Sequence, residues 1–181
     1  RIIFTLLYNS GQFVLSRNFR TQNIGDINWI LKNYNLSEIT KGIDEILILD
    51  ITRKGKNPEK FSEVVKLISS NCFIPLSVGG GISSVYQAEK LFKSGADKIF
   101  LNKLFFSNPN ECKKISSIFG KQSIIGGIDF KKILEKNVLY KDYGVNASEI
   151  TIKNWVNFLQ ENGVGEILLQ SIDRDGTASG I

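Results

Sequence analysis

The chain repeats itself at long range. Gly42-Ile-Asp-Glu-Ile-Leu-Ile-Leu-Asp-Ile-Thr-Arg-Lys-Gly55 and Gly163-Val-Gly-Glu-Ile-Leu-Leu-Gln-Ser-Ile-Asp-Arg-Asp-Gly176 agree at seven of fourteen positions, at a constant offset of 121 residues. The segments before them, Arg1–Leu7 and Ser123–Asp129, correspond at a similar separation, and a polar hairpin-like insertion follows each. Short apolar runs at Ile2–Tyr8, Glu45–Ile51, Ile74–Val78, Lys98–Asn102, Ser123–Asp129 and Glu166–Ser171 read as strands. Most are continuously apolar, as parallel strands covered on both faces are. Pro75 falls at a strand start, where a missing N–H costs least. Helices are expected between them, capped by Asp26, Asn57, Ser83 or Ser84, and Asn108, with Gly95, Gly120 and Gly163 turning their C-termini back. Strict alternation of strand and helix predicts right-handed βαβ units on a parallel sheet. A repeat of about 120 residues with four such units is half of an eight-unit barrel of about 250 residues. The expected fold is therefore α/β, a (β/α)8 TIM barrel of two repeated half-barrels. About six strand–helix units are visible, as a single domain over residues 1–181, cut at both ends with strands seven and eight missing.

Composition narrows the chemistry. Of the 181 residues 42% are hydrophobic and 23% charged, the balance of a globular protein. The absence of histidine removes a Ser-His-Asp triad, an imidazole base and His-ligated zinc within these residues, so acid–base work falls to carboxylates or lysines. Cys72 and Cys112 have no metal or redox spacing and read as buried thiols of a reducing, cytoplasmic setting. The net charge of +5 is spread along helix faces rather than gathered into a stripe, so neither nucleic acid nor membrane is an expected partner. No cofactor motif and no metal site is expected.

In a barrel of this kind the active site lies at the C-terminal strand ends. That directs attention to Leu7, Asp50, Gly79, Gly80, Gly81, Asn102, Asp129, and the run Asp173–Thr177. Asp129 follows Gly126-Gly127-Ile128. A carboxylate between apolar walls there suits general acid–base catalysis, and a plain strand-end cap suits it equally. Val78-Gly79-Gly80-Gly81 before a capped helix fits an anion cradle, or only a tight turn. Ser171-Ile-Asp-Arg-Asp-Gly-Thr177 is the most specific run: the Gly176 amide and Thr177 suit a phosphate, and an aspartate suits a ribose-like hydroxyl. At the opposite end Arg1, Glu45, Lys98 and Glu166 each stand at a strand start. Charges there ordinarily just face water.

Together, Arg1-Ile2-Ile3, Leu49-Asp50-Ile51-Thr52, Val78-Gly79-Gly80-Gly81-Ile82, Gly95-Ala96-Asp97-Lys98, Ile128-Asp129 and Glu166–Thr177 resemble the cyclase subunit of imidazole glycerol phosphate synthase, over the whole chain and in order. The resemblance implies a barrel of two halves. Ammonia from a glutaminase docked at its floor would pass through it to a phosphorylated substrate at the top. It implies Asp129 as one of two catalytic aspartates. Gly81 and Asn102 fall in one phosphate site, and Asp175 with Gly176 in part of a second. Arg1, Glu45, Lys98 and Glu166 become the ammonia gate, and Asp97 a glutaminase-facing position.

The departures from that family are informative. The first strand should end in a catalytic aspartate, and here it reads Thr5-Leu6-Leu7-Tyr8. The family's loop lysine aligns with Leu15, beside Arg17, and its threonine after the asparagine is Lys103. Leu-Leu at that place resembles a divergent branch found with surface-polysaccharide genes. That branch implies ammonia supply for amidination of an N-acetyl sugar, with a separate amidotransferase. The leading expectation is thus an ammonia-handling synthase subunit acting in sugar amidination on a nucleotide-linked sugar. The alternatives are a cyclase–lyase of histidine biosynthesis acting on a bis-phosphorylated ribonucleotide, with Asp129 alone or beside Asp50, and a non-catalytic scaffold that activates its glutaminase.

Overall fold

The computed structural model describes residues 1–39 and 41–180, so Thr40 and Ile181, which the expected domain includes, lie outside the described residues. The elements run, in chain order, β1 (Ile3–Asn9), β2 (Gln12–Arg17), β3 (Arg20–Gly25), α1 (Ile27–Asn33), α2 (Leu36–Ile39), β4 (Glu45–Asp50), α3 (Pro58–Ser69), β5 (Leu76–Gly79), α4 (Val85–Lys93) and β6 (Lys98–Leu101). They continue with α5 (Lys103–Ser107), α6 (Pro109–Phe119), β7 (Ile124–Ile133), β8 (Lys136–Lys141), β9 (Asn146–Ala147), α7 (Ile152–Glu161) and β10 (Glu166–Ser171). All six expected strands are present, as β1, β4, β5, β6, β7 and β10. The chain divides into two compact units, Arg1–Leu15 with Thr21–Phe100, and Ser16–Arg20 with Leu101–Ile181.

In the first unit β1 pairs in parallel with β4, β4 with β5, and β5 with β6. Burial explains the unbroken apolar runs, because Ile46, Leu47 and Ile48 are all at most 2% exposed. The expected caps form. The side chains of Asp26, Asn57 and Ser84 accept the N–H of Trp29, Lys60 and Gln87, and Pro58 starts α3. Each satisfies a donor that the helix itself leaves orphaned. Aspartates also tie down the strand starts: Asp44 accepts the N–H of Ile2 at 2.6 Å and Asp97 that of Leu76 at 2.8 Å.

In the second unit β10 lies parallel to β7, and β8 returns antiparallel to it. Asn108 caps α6 and Thr151 caps α7. Gly120 and Gly163 adopt φ of +87° and +89° at the helix exits. Trp155 stacks between Phe106 and Phe158, with ring centroids 4.1 and 4.8 Å away. Both insertions are hairpins: β1 turns into β2 as β7 turns into β8. One boundary differs from expectation by more than two residues. The fifth strand does not stop at Asp129 but runs on to Ile133, since Lys131 and Lys132 continue it as a hairpin arm beside β8. The parallel ladder with β10 ends at Phe130, so Asp129 still marks the end of the parallel part.

Candidate functional site

Asp129 is half-buried at the point where β7 leaves the parallel ladder, with Gln170 beside it on β10 and Tyr140 on β8. Asn102, the residue before α5, donates its side-chain N–H to the Asp129 carboxylate at 3.0 Å. Burial raises the carboxyl from 3.8 to about 6, against the Asn102 hydrogen bond, which favours the charged form. Desolvation wins because it penalises the whole charge, whereas one neutral donor offsets it only in part. A carboxyl titrating near 6 can both take and give a proton close to neutral pH. Two expected residues, Asp129 and Asn102, are thereby brought into contact. Lys103 is exposed at the start of α5, with its ammonium 6.0 Å from the Tyr143 ring centroid.

The loop after β10 is folded on itself and on a distant turn. Asp173 accepts the N–H of Lys132 at 3.1 Å. Asp175 accepts from the Ser16 hydroxyl, the Phe19 N–H and the Gln170 amide at 2.5, 3.0 and 3.3 Å. The Thr177 hydroxyl donates to the Arg174 carbonyl at 2.8 Å, and Gly176 holds φ +67°. Ser16 and Gln170 were not legible as functional residues. Their partner lies in a polar loop, and for Ser16 it is 159 residues away, so no local pattern announces the contact.

In the first unit the Asp50 carboxylate is buried, accepts the Thr52 N–H at 2.9 Å and pairs with Lys56 at 3.5 Å. Lys56 also donates to the carbonyls of Asp50 and Gly80, at 2.8 and 3.0 Å. Its ammonium is pushed below the ordinary lysine value by burial, opposed by Asp50. Desolvation, followed by the nearby Asp50 charge, pushes the Tyr8 phenol up. The glycine run has packing reasons of its own. A Cβ at residue 79 would stand 2.6 Å from Phe100 Cβ, one at residue 80 would overlap the Asp50 backbone, and one at residue 81 would meet Lys56. Lys56 is a residue that sequence reasoning missed, and only its contacts with Asp50 and Gly80 reveal it. Leu7 is half-buried, and its ladder partners, Leu49 and Val14, are both aliphatic. Leu15 is exposed on β2.

At the strand starts of the same unit, Glu45 is 2% exposed and collects three partners. The Ser77 hydroxyl donates to it, and Arg1 and Lys98 reach it at 3.6 and 3.3 Å. Three of the four expected gate residues are thus one cluster. Glu166 opens β10 in the second unit. Asp97 is exposed at the strand starts and holds the Leu76 N–H.

Comparison with known proteins gives this arrangement a family. A family model described as "Histidine biosynthesis protein" matches residues 1–181. A relative named putative imidazole glycerol phosphate synthase subunit hisF2, from Parasynechococcus marenigrum (strain WH8102), is 44% identical over 99% of this chain and 67% of its own length. Imidazole glycerol phosphate synthase subunit HisF of Dictyoglomus thermophilum is 39% identical over 87% of this chain and 61% of its own. The subunit of the same name from Chlorobium phaeovibrioides is 36% identical over 99% of this chain and 70% of its own. The chain thus spans about two thirds of the length of these relatives. By sequence match and by the six expected strands it carries, it belongs to the imidazole glycerol phosphate synthase cyclase-subunit (HisF) family, whose fold is the (β/α)8 barrel.

Proposed function

We propose that this chain is part of an imidazole glycerol phosphate synthase cyclase subunit. It would use ammonia, delivered by a partner glutaminase, in a cyclisation and lyase reaction on a bis-phosphorylated ribonucleotide. This is the alternative among the sequence expectations, and the names of the relatives favour it over sugar amidination. The single observation that carries the chemistry is Asp129, a half-buried carboxyl raised to about 6 and oriented by Asn102. It would accept a proton from the attacking nitrogen and return it to the departing group. Asn102, Gly81 and the Gly176–Thr177 segment are proposed to hold phosphates. Glu45 with Arg1 and Lys98 is proposed to form the entry for ammonia, with Asp97 facing the glutaminase.

One observation favours the second reading, ammonia supply for amidination of an N-acetyl sugar: Leu7 stands where the family sets an acid, and its ladder partners are aliphatic. Losing a positioned acid or base costs about 10²- to 10⁴-fold in rate. Complementation of a histidine auxotroph with the full-length gene separates the readings. Growth supports the cyclase. No growth with the native gene, together with growth when Leu7→Asp is introduced, supports the divergent branch.

A further inference from the structure

One lysine of the first unit ties the ends of two neighbouring strands together. Lys56, in the loop between β4 and α3, donates to the carbonyl of Asp50 at 2.8 Å and to that of Gly80 at 3.0 Å. Its ammonium also lies 3.5 Å from the buried Asp50 carboxylate. The two carbonyls come within reach of one ammonium because residue 80 is a glycine, packed where a Cβ would overlap the Asp50 backbone. An ion pair with Asp50 alone would only neutralise a buried charge. The bond to Gly80 does something more, because it fixes the plane of the next peptide.

The Gly80–Gly81 peptide is trans, so its N–H points opposite to its carbonyl. With the carbonyl held on Lys56, the Gly81 N–H is turned to the other side. There it is exposed and has no hydrogen-bond partner among the described residues. Gly80 and Gly81 both have positive φ, +114° and +74°, and neither carries a Cβ that would restrict rotation of the peptide between them. Its orientation therefore depends on an outside hold.

We propose that Lys56 is a positioning residue: it locks the Gly80–Gly81 peptide so that the Gly81 N–H is held out toward an anionic group of the substrate. The ammonium faces three protein oxygens, so it acts through Gly81 and not by meeting the substrate itself. This inference deepens the proposed function and rests on the reading of Gly81 as part of a phosphate site.

Amide NMR of the full-length protein titrated with inorganic phosphate tests it. In the native protein the Gly81 N–H resonance should move with phosphate. In Lys56→Met the released peptide spends most of its time in other orientations, so the dissociation constant read at Gly81 should rise at least about tenfold. The amide resonances of β4 and β5 should stay at their native positions, which a merely structural loss would shift as well. Native affinity at Gly81 in Lys56→Met overturns the positioning role and leaves the phosphate reading standing. A Gly81 resonance that phosphate does not move in the native protein overturns that reading, and the role of Lys56 with it. If Lys56→Met fails to fold because Asp50 is left buried without its cation, removing both charges avoids the penalty. The double variant Asp50→Asn with Lys56→Met should then bind phosphate at Gly81 at least about tenfold more weakly than Asp50→Asn does, and equal affinity in the two overturns the proposal.

Discussion

Asp129 is where desolvation and the proposed function meet in one side chain. Its carboxyl is raised from 3.8 to about 6 by burial, so the fold favours the protonated form. The linked stability is therefore fully present below the unfolded value and is lost as pH rises through about 6. A shift of that size corresponds to roughly 2–3 kcal/mol. Asp129→Asn keeps an oxygen for Asn102 but cannot ionise. Thermal unfolding followed between pH 4 and pH 7.5 should show the native chain losing stability relative to this variant, with most of the change complete by pH 7. Parallel profiles would mean that the carboxyl is not desolvated in the folded chain. The place of this residue was legible from sequence, but a strand-end carboxylate serves equally as a cap, so its proposed role came only with the family resemblance. Lys56 and Ser16 were not legible, since a lysine or serine in a polar segment looks the same whether it is solvated or holding a carboxylate from elsewhere in the chain.

Elements were legible where the determining interactions are local. The caps at Asp26, Asn57, Ser84 and Asn108 act over three residues, and each accepts an N–H in the first turn of its helix. The length of β7 was not, because its last residues form a hairpin arm whose lysines interrupt the apolar run. The glycine run after β5 shows how one pattern can serve two purposes. Gly80 has φ +114° and lies against the Asp50 backbone, whereas Gly81 faces the movable end of Lys56. Gly80→Ala should therefore destabilise the protein by more than about 2 kcal/mol, and by more than Gly81→Ala does. Chemical denaturation of both variants checks this. Equal losses would show that the Asp50 backbone does not crowd residue 80, and a phosphate titration of Gly81→Ala would then report on the proposed anion site.

At the scale of the whole chain, the 121-residue repeat predicted two equivalent strand–hairpin–strand pairings, and both exist: β1 with β4 and β7 with β10, each with its own hairpin. What the repeat could not convey is how its strand starts are bonded, because charges there are equally at home in water. Glu45 is nearly inaccessible and faces Arg1, Lys98 and Ser77. Removing the carboxylate takes from Arg1 and Lys98 the anion they share, and because both cations reach solvent the cost stays below the roughly 3–5 kcal/mol of a fully buried pair. Glu45→Ala should lower the unfolding midpoint, and in the full-length protein it should reduce glutamine-dependent turnover more than turnover with added ammonium salts. Equal loss with both nitrogen sources would argue against an ammonia entry at this cluster. The claim on which the rest depends is that Asp129 performs the proton transfers of a cyclase-family reaction, and ammonium-dependent turnover of the bis-phosphorylated ribonucleotide by full-length native protein and Asp129→Asn tests it most directly. The account predicts a fall of at least about a hundredfold in the variant, with its folding intact, and a variant that turns over at the native rate would contradict it.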